Sequence, residues 1–155
     1  MEIQFISKNE EETILLGKKL GKFLKPGDLI LLYGDLGSGK TTFVKGIAKA
    51  LEVDPDIYIT SPSFSIINIY EGKYTLYHVD LYRLDIPEEL GLWEYLNNGI
   101  VVIEWANKLH ENPKEDFLEI HFEYLDMLNR RIVIIGYGEW RALLKELGKD
   151  KELNK

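Results

Sequence analysis

The stretch Gly34-Asp35-Leu36-Gly37-Ser38-Gly39-Lys40-Thr41 carries two glycines five positions apart, then a lysine and a hydroxyl residue. Chemistry dictates those residue types. Gly37 and Gly39 tolerate backbone angles closed to other residues, so consecutive N–H groups can turn inward around a phosphate without side chains in the way. A helix expected over residues 40–51 would point its first free N–H groups and the positive end of its dipole at the same anion. In this phosphate-loop pattern Lys40 reaches the β- and γ-phosphates, Thr41 offers a hydroxyl to Mg²⁺, and Thr42 lies near the α-phosphate. Asp35, Leu36, Gly37, Ser38 and Gly39 complete the cradle. The pattern counts only between a strand and a helix, and both are expected: residues 28–33 form a short apolar run, while Phe43, Ile47, Ala48 and Leu51 give the helix an apolar face.

Working outward, residues 2–6 read as a strand. Ser7-Lys8-Asn9-Glu10 has the form of a capping box, and Ile14, Leu15, Leu16, Leu20, Phe23 and Leu24 follow at helical spacing. Lys25-Pro26-Gly27 ends that helix and turns into the phosphate-loop strand. Further on, residues 64–70 and 74–79 predict an antiparallel hairpin across Glu71-Gly72-Lys73. Pro87 starts a helix that runs to Leu96 and stops at Asn97-Asn98-Gly99. Residues 100–103 are a continuous apolar run of the kind found in buried parallel strands. A short helical piece to His110 is broken by Pro113, a second hairpin spans 118–124 and 130–137, and residues 139–155 read as a helix fraying into a charged tail. The expected fold is α/β, a phosphate-loop NTPase architecture with a central, mostly parallel sheet, antiparallel strands at its margins and helices on both faces. Residues 1–147 are expected to make one phosphate-loop NTPase domain and 148–155 the tail.

Length and composition set bounds. At 155 residues the chain has room for one domain with a substantial core, and 45% hydrophobic with 29% charged residues describes an ordinary globule. No apolar stretch approaches a membrane span, and the N-terminus lacks a basic start and long apolar core, so a cytoplasmic protein is expected. The absence of cysteine excludes thiol chemistry, disulfides and Cys-ligated zinc. A net charge of −7 argues against a broad, autonomous grip on nucleic acid, so any RNA would be met through a partner.

Two carboxylates stand where such a fold needs them. Asp80 ends the run 74–79, the position of the strand-end carboxylate that holds Mg²⁺ or its water. Glu104 ends the next apolar strand and would arrive beside it, either touching the metal or orienting water; its bland alternative is the first residue of the following helix. Thr60-Ser61-Pro62-Ser63 is a hydroxyl-rich turn before the metal strand, either a γ-phosphate switch through Thr60, Ser61 and Ser63 or simply a turn. Trp105 would cover the site or belong to the core, and Trp93 and Trp140 read as core. His78, His110 and His121 share no metal-ligand spacing and read as structural or surface residues.

Taken together, Gly34 through Phe43, Ser61-Pro62-Ser63-Phe64, His78-Val79-Asp80-Leu81-Tyr82-Arg83-Leu84, Pro87-Glu88-Glu89-Leu90 and Ile103-Glu104-Trp105 resemble the TsaE (formerly YjeE) family over nearly the whole chain. The resemblance implies an ATPase needed for threonylcarbamoyladenosine formation on tRNA, with ATP or ADP and Mg²⁺ as ligands. It implies that Lys40 and Thr41 serve ATP and Mg²⁺, that Asp80 is the metal carboxylate and that Glu104 is essential. It further implies that Glu10 and Arg130 lie near the base, and that the proteins TsaB and TsaD are partners whose complex is reset by hydrolysis. Ser63 stands where many relatives carry threonine, which preserves the hydroxyl. Adenine is implied by the resemblance alone; Asn107-Lys108-Leu109-His110 lacks the Asp of a guanine-reading motif. Two rivals remain open: a small-molecule kinase, disfavoured by the few arginines, and a nucleotide-gated binding module that does not depend on hydrolysis.

Overall fold

Alternation along one strand sorts the whole core. Leu29–Tyr33 forms β2, in which Ile30 and Leu32 pack to one side with the helices while Leu29 and Leu31 pack to the other, all four nearly inaccessible to solvent. The computed structural model describes residues 1–35, 37–62, 66–84, 91–112 and 114–153. Around β2 lie β1 (Glu2–Ser7), β3 (Ile67–Tyr70), β4 (Thr75–Asp80), β5 (Gly99–Glu104), β6 (Leu118–Tyr124) and β7 (Arg130–Gly136), in the sheet order β1-β7-β6-β2-β5-β4-β3. The α-helices are α1 (Glu10–Gly21), α2 (Lys40–Ala50) and α3 (Trp140–Gly148).

The sheet is evenly mixed rather than mostly parallel. β6, β2, β5 and β4 are parallel neighbours, whereas β1–β7, β7–β6 and β4–β3 pair antiparallel. The antiparallel margins lie where the hairpins were expected, but there are as many margin pairings as central ones. The expectation of helices on both faces also needs correction. Leu16 and Leu20 of α1, Phe43 and Ile47 of α2, and Trp140 and Leu144 of α3 all join one cluster with Ile30, Leu32, Ile120 and Ile134. Among the described residues the opposite face is covered by two 3₁₀ segments, Leu92–Asn97 and Ala106–Lys108, through Leu92, Trp93, Tyr95, Leu96 and Ala106.

Local detail differs from expectation or refines it at four places. The cap of α1 is Asn9, whose side chain accepts the Glu12 N–H at 2.8 Å while Glu12 Oε1 accepts the Lys8 N–H at 3.2 Å. Ser7 cannot serve as the cap because it ends β1 pointing inward, where its hydroxyl lies 2.6 Å from that of Thr13. The helix expected from Pro87 falls partly on residues 85–90, outside the described residues; its described end is 3₁₀, entered through Gly91 at φ 64. The piece before His110 is likewise a single 3₁₀ turn, and α3 ends at Gly148, with residues 149–153 continuing as turns.

Two glycines set the height of α2 over the sheet. Gly17 of α1 and Gly46 of α2 face each other so closely that a Cβ on Gly17 would run into the Phe43 carbonyl, and one on Gly46 into the Ile14 carbonyl. That backbone-to-backbone crossing locks the start of α2 above the carboxyl ends of the parallel strands.

Candidate functional site

The loop from Gly34 to Gly39 links the end of β2 to α2, and Gly37 and Gly39 both have positive φ, 76° and 109°. Gly39 is the N-cap of α2. No side chain caps that helix start and no acidic residue occupies its first turn, so the dipole end is left for an anion from elsewhere. Asp35 closes the loop by accepting the Ser38 N–H at 3.1 Å; its side chain is exposed. Leu36 lies outside the described residues.

Lys40 is buried although it is a lysine, and its ammonium donates to the Gly34 carbonyl and lies 4.0 Å from the centroid of the Trp105 ring. Burial pulls its pKa below the ordinary value, opposed by the negative charges of Glu104, Asp80 and Asp35. Trp105 reaches this place because its own φ is +59°, a left-handed conformation that is costly for a bulky residue and turns the chain sharply after β5. Its outer side meets Tyr82, with ring centroids 4.8 Å apart.

Asp80 and Glu104 stand opposite each other on the parallel strands β4 and β5, and both are buried. Each holds its own donors. Asp80 accepts the Ser61 hydroxyl at 3.0 Å and the Tyr82 N–H at 2.9 Å. Glu104 Oε2 accepts the Thr41 hydroxyl at 3.2 Å and pairs with Nε2 of His78. Two carboxylates side by side in a buried site repel, and Lys40 is one cation against them. The arrangement therefore fits an added divalent cation. Among the described residues no group of three His, Cys, Asp or Glu side chains could hold a metal alone. A magnesium ion would need phosphate oxygens and water to complete its shell, its ordinary habit. Ser38 fits a ligand here independently: its hydroxyl is buried without a partner among the described residues.

A cleft of about 850 Å³ runs across these groups, lined by Gly37, Ser38, Gly39, Lys40, Thr41 and Thr42 on one side and Ser61, Asp80, Tyr82, Glu104 and Trp105 on the other. Asn9, Glu10, Glu11 and Thr13 of the α1 entry close one end, and Met127, Leu128 and Arg130 of the β6–β7 turn another. Arg130 donates to the Gly37 carbonyl at 3.1 Å and to the carbonyls of Asp126 and Asn129, with Tyr124 under its guanidinium. Of the remaining expected positions, Thr60 does not line the cleft: its N–H meets Tyr70 Oη at 3.4 Å and its carbonyl accepts from Asn68, which fixes it to β3. Ser63 lies outside the described residues. Sequence reasoning missed His78 and the apolar lip of Met127 and Leu128. The signal for His78 was its position two residues before Asp80 on one strand, which sends both side chains to one face.

The model of the threonylcarbamoyl adenosine biosynthesis protein TsaE matches residues 7–132. The chain belongs to the TsaE family. Its relatives include the tRNA threonylcarbamoyladenosine biosynthesis protein TsaE of Bacillus subtilis, 38% identical with 94% of each chain covered. That of Rickettsia felis is 42% identical, covering 90% of this chain and 83% of its own. Among solved structures, a crystal structure of Bacillus subtilis YdiB superposes with a TM-score of 0.82 at 35% identity, covering 96% of this chain and 95% of that one. Among the described residues of this TsaE-family chain, no helix is long and apolar enough to cross a membrane.

Proposed function

We propose that this chain is a phosphate-loop ATPase acting in threonylcarbamoyladenosine formation on tRNA, in the cytoplasm, and that it works on Mg-ATP in company with TsaB and TsaD. The carrying observation is that the uncapped start of α2, with Lys40 and Thr41, shares one cleft with the paired carboxylates Asp80 and Glu104. Lys40 and the loop N–H groups bind and orient the phosphates, and Trp105 gives up its hold on Lys40 as they arrive. Magnesium, when bound with the nucleotide, neutralises phosphate charge. Thr41 and Asp80 would hold it, and Glu104 would hold it or orient the attacking water.

Arg130 does not serve as a free cation for the transferring phosphate, since its guanidinium is held by three backbone carbonyls. The extra positive charge that speeds phosphoryl transfer is then supplied by a partner, which makes turnover slow alone and faster in the assembly. The net charge of −7 supports contact with tRNA through the complex rather than directly. The test is ATP hydrolysis by the purified protein, alone and with TsaB and TsaD, for wild type and Glu104→Ala. Turnover that rises in the mixture and disappears in the variant is expected. Equal turnover alone and in the mixture would remove the partner activation, and binding without turnover in every mixture would leave a nucleotide-gated module.

A further inference from the structure

His78 lies on β4 with no solvent exposure, in a row of apolar residues, and it contacts the one carboxylate for which an orienting role is proposed above. The register explains how. His78 pairs with Val102 and Asp80 with Glu104, so His78 and Glu104 are diagonal neighbours on the same face, two positions apart across parallel strands. Nε2 of the imidazole meets Oε2 of Glu104, the oxygen that also accepts the Thr41 hydroxyl, and because an ionised carboxylate only accepts, the proton of that contact is carried by Nε2. Both contacts fall on a single oxygen. Oε1 has no hydrogen-bond partner among the described residues, although the carboxylate as a whole is buried.

Buried polar atoms are mostly paired, because an unpaired one in the core costs free energy. In His78 the Nδ1 is buried without a partner among the described residues, so the polar contact of this ring there is the one to Glu104. What the imidazole provides there is a fixed donor behind Glu104.

We propose that His78 is a positioning residue. Its Nε2–H clamps Oε2 of Glu104, so that the carboxylate cannot rotate and Oε1 is presented to the cleft beside Thr41 and Asp80. Such supporting donors typically matter 10- to 100-fold for the group they orient. This inference rests on the reading of the cleft as a Mg-nucleotide site.

The test compares His78→Leu, which removes the donor, with His78→Gln, whose amide N–H can reach the Nε2 position. Two readouts are taken: kcat and KM for ATP in the presence of TsaB and TsaD, and the affinity for ADP measured in EDTA and in Mg²⁺. In His78→Leu we expect kcat to fall about 10- to 100-fold, with ADP affinity in EDTA unchanged and the gain in affinity on adding Mg²⁺ reduced. His78→Gln should recover most of both losses, and His78→Leu should have no further effect in a Glu104→Ala background. Unchanged kcat and Mg²⁺ gain in His78→Leu would overturn the proposal. So would equal loss of ADP affinity with and without Mg²⁺, unrescued by Gln, which is the mark of a fold defect. Absence of turnover by wild type in every mixture would remove the ATPase reading instead. The clamp is then decided by the Mg²⁺ gain alone.

Discussion

The ammonium of Lys40 sits 4.0 Å from the centroid of the Trp105 ring and donates to the Gly34 carbonyl, so the loop holds its lysine with groups that a phosphate would replace. Nucleotide binding should break the cation–π contact and change the emission of Trp105. Titrating the protein with ADP while following tryptophan fluorescence should give a saturable change in wild type and none in Trp105→Phe, in which Trp93 and Trp140 remain. A full change surviving in the Phe variant would place the signal elsewhere.

The same lysine makes binding depend on pH. Burial lowers its pKa, so without a phosphate beside it the lysine loses its proton at a lower pH than an exposed lysine would. A bound phosphate favours the ammonium form and raises that pKa again. Binding in the alkaline range should thus take up a proton, and ADP affinity should fall as pH rises. Calorimetry at alkaline pH in two buffers of different ionisation heat measures the uptake, which Lys40→Met should abolish along with most of the affinity.

Gly46→Ala should loosen the seat of α2. The added methyl meets the Ile14 carbonyl and the Lys18 N–H across the α1–α2 crossing, backbone groups that can retreat only by separating the helices. Overpacking of this kind costs about 1–3 kcal/mol, read as a lower denaturation midpoint. Because α2 begins at Lys40, nucleotide affinity should fall in the same variant.

Asp28, just before β2, is buried, and that burial raises its carboxyl pKa even though its Oδ2 accepts the Lys25 N–H at 2.8 Å. With the folded pKa above the unfolded one, the folded state binds the proton more readily, and ionisation destabilises the fold at every pH above the folded pKa. Asp28→Asn, whose amide oxygen still accepts the Lys25 N–H, should melt at a higher temperature than wild type at neutral pH. The difference should shrink as pH falls through the folded pKa toward 3.8. A constant gap across that range would refute the assignment.

Local chemistry makes much of this protein legible in its sequence. The strand, glycine loop and helix from Leu29 to Ala50 are written in short-range pattern, and so are both hairpins and the apolar runs ending in Asp80 and Glu104, because periodicity and turn residues act over a few positions. That the two carboxylates stand side by side followed from the expectation of parallel strands. Sheet order, by contrast, depends on which distant strands find each other. Only the tertiary structure decided that all three described α-helices share one face, that half the pairings are antiparallel, and that the α1 cap falls to Asn9 because Ser7 is turned into the core. The same holds in the cleft. Arg130 reaches Gly37 across 93 residues and His78 reaches Glu104 across 26, while Thr60, near in sequence to Ser61, is drawn away by Asn68 and Tyr70. Residue types announce which chemistry a segment can perform; the long-range register of the sheet determines which side chains converge to perform it.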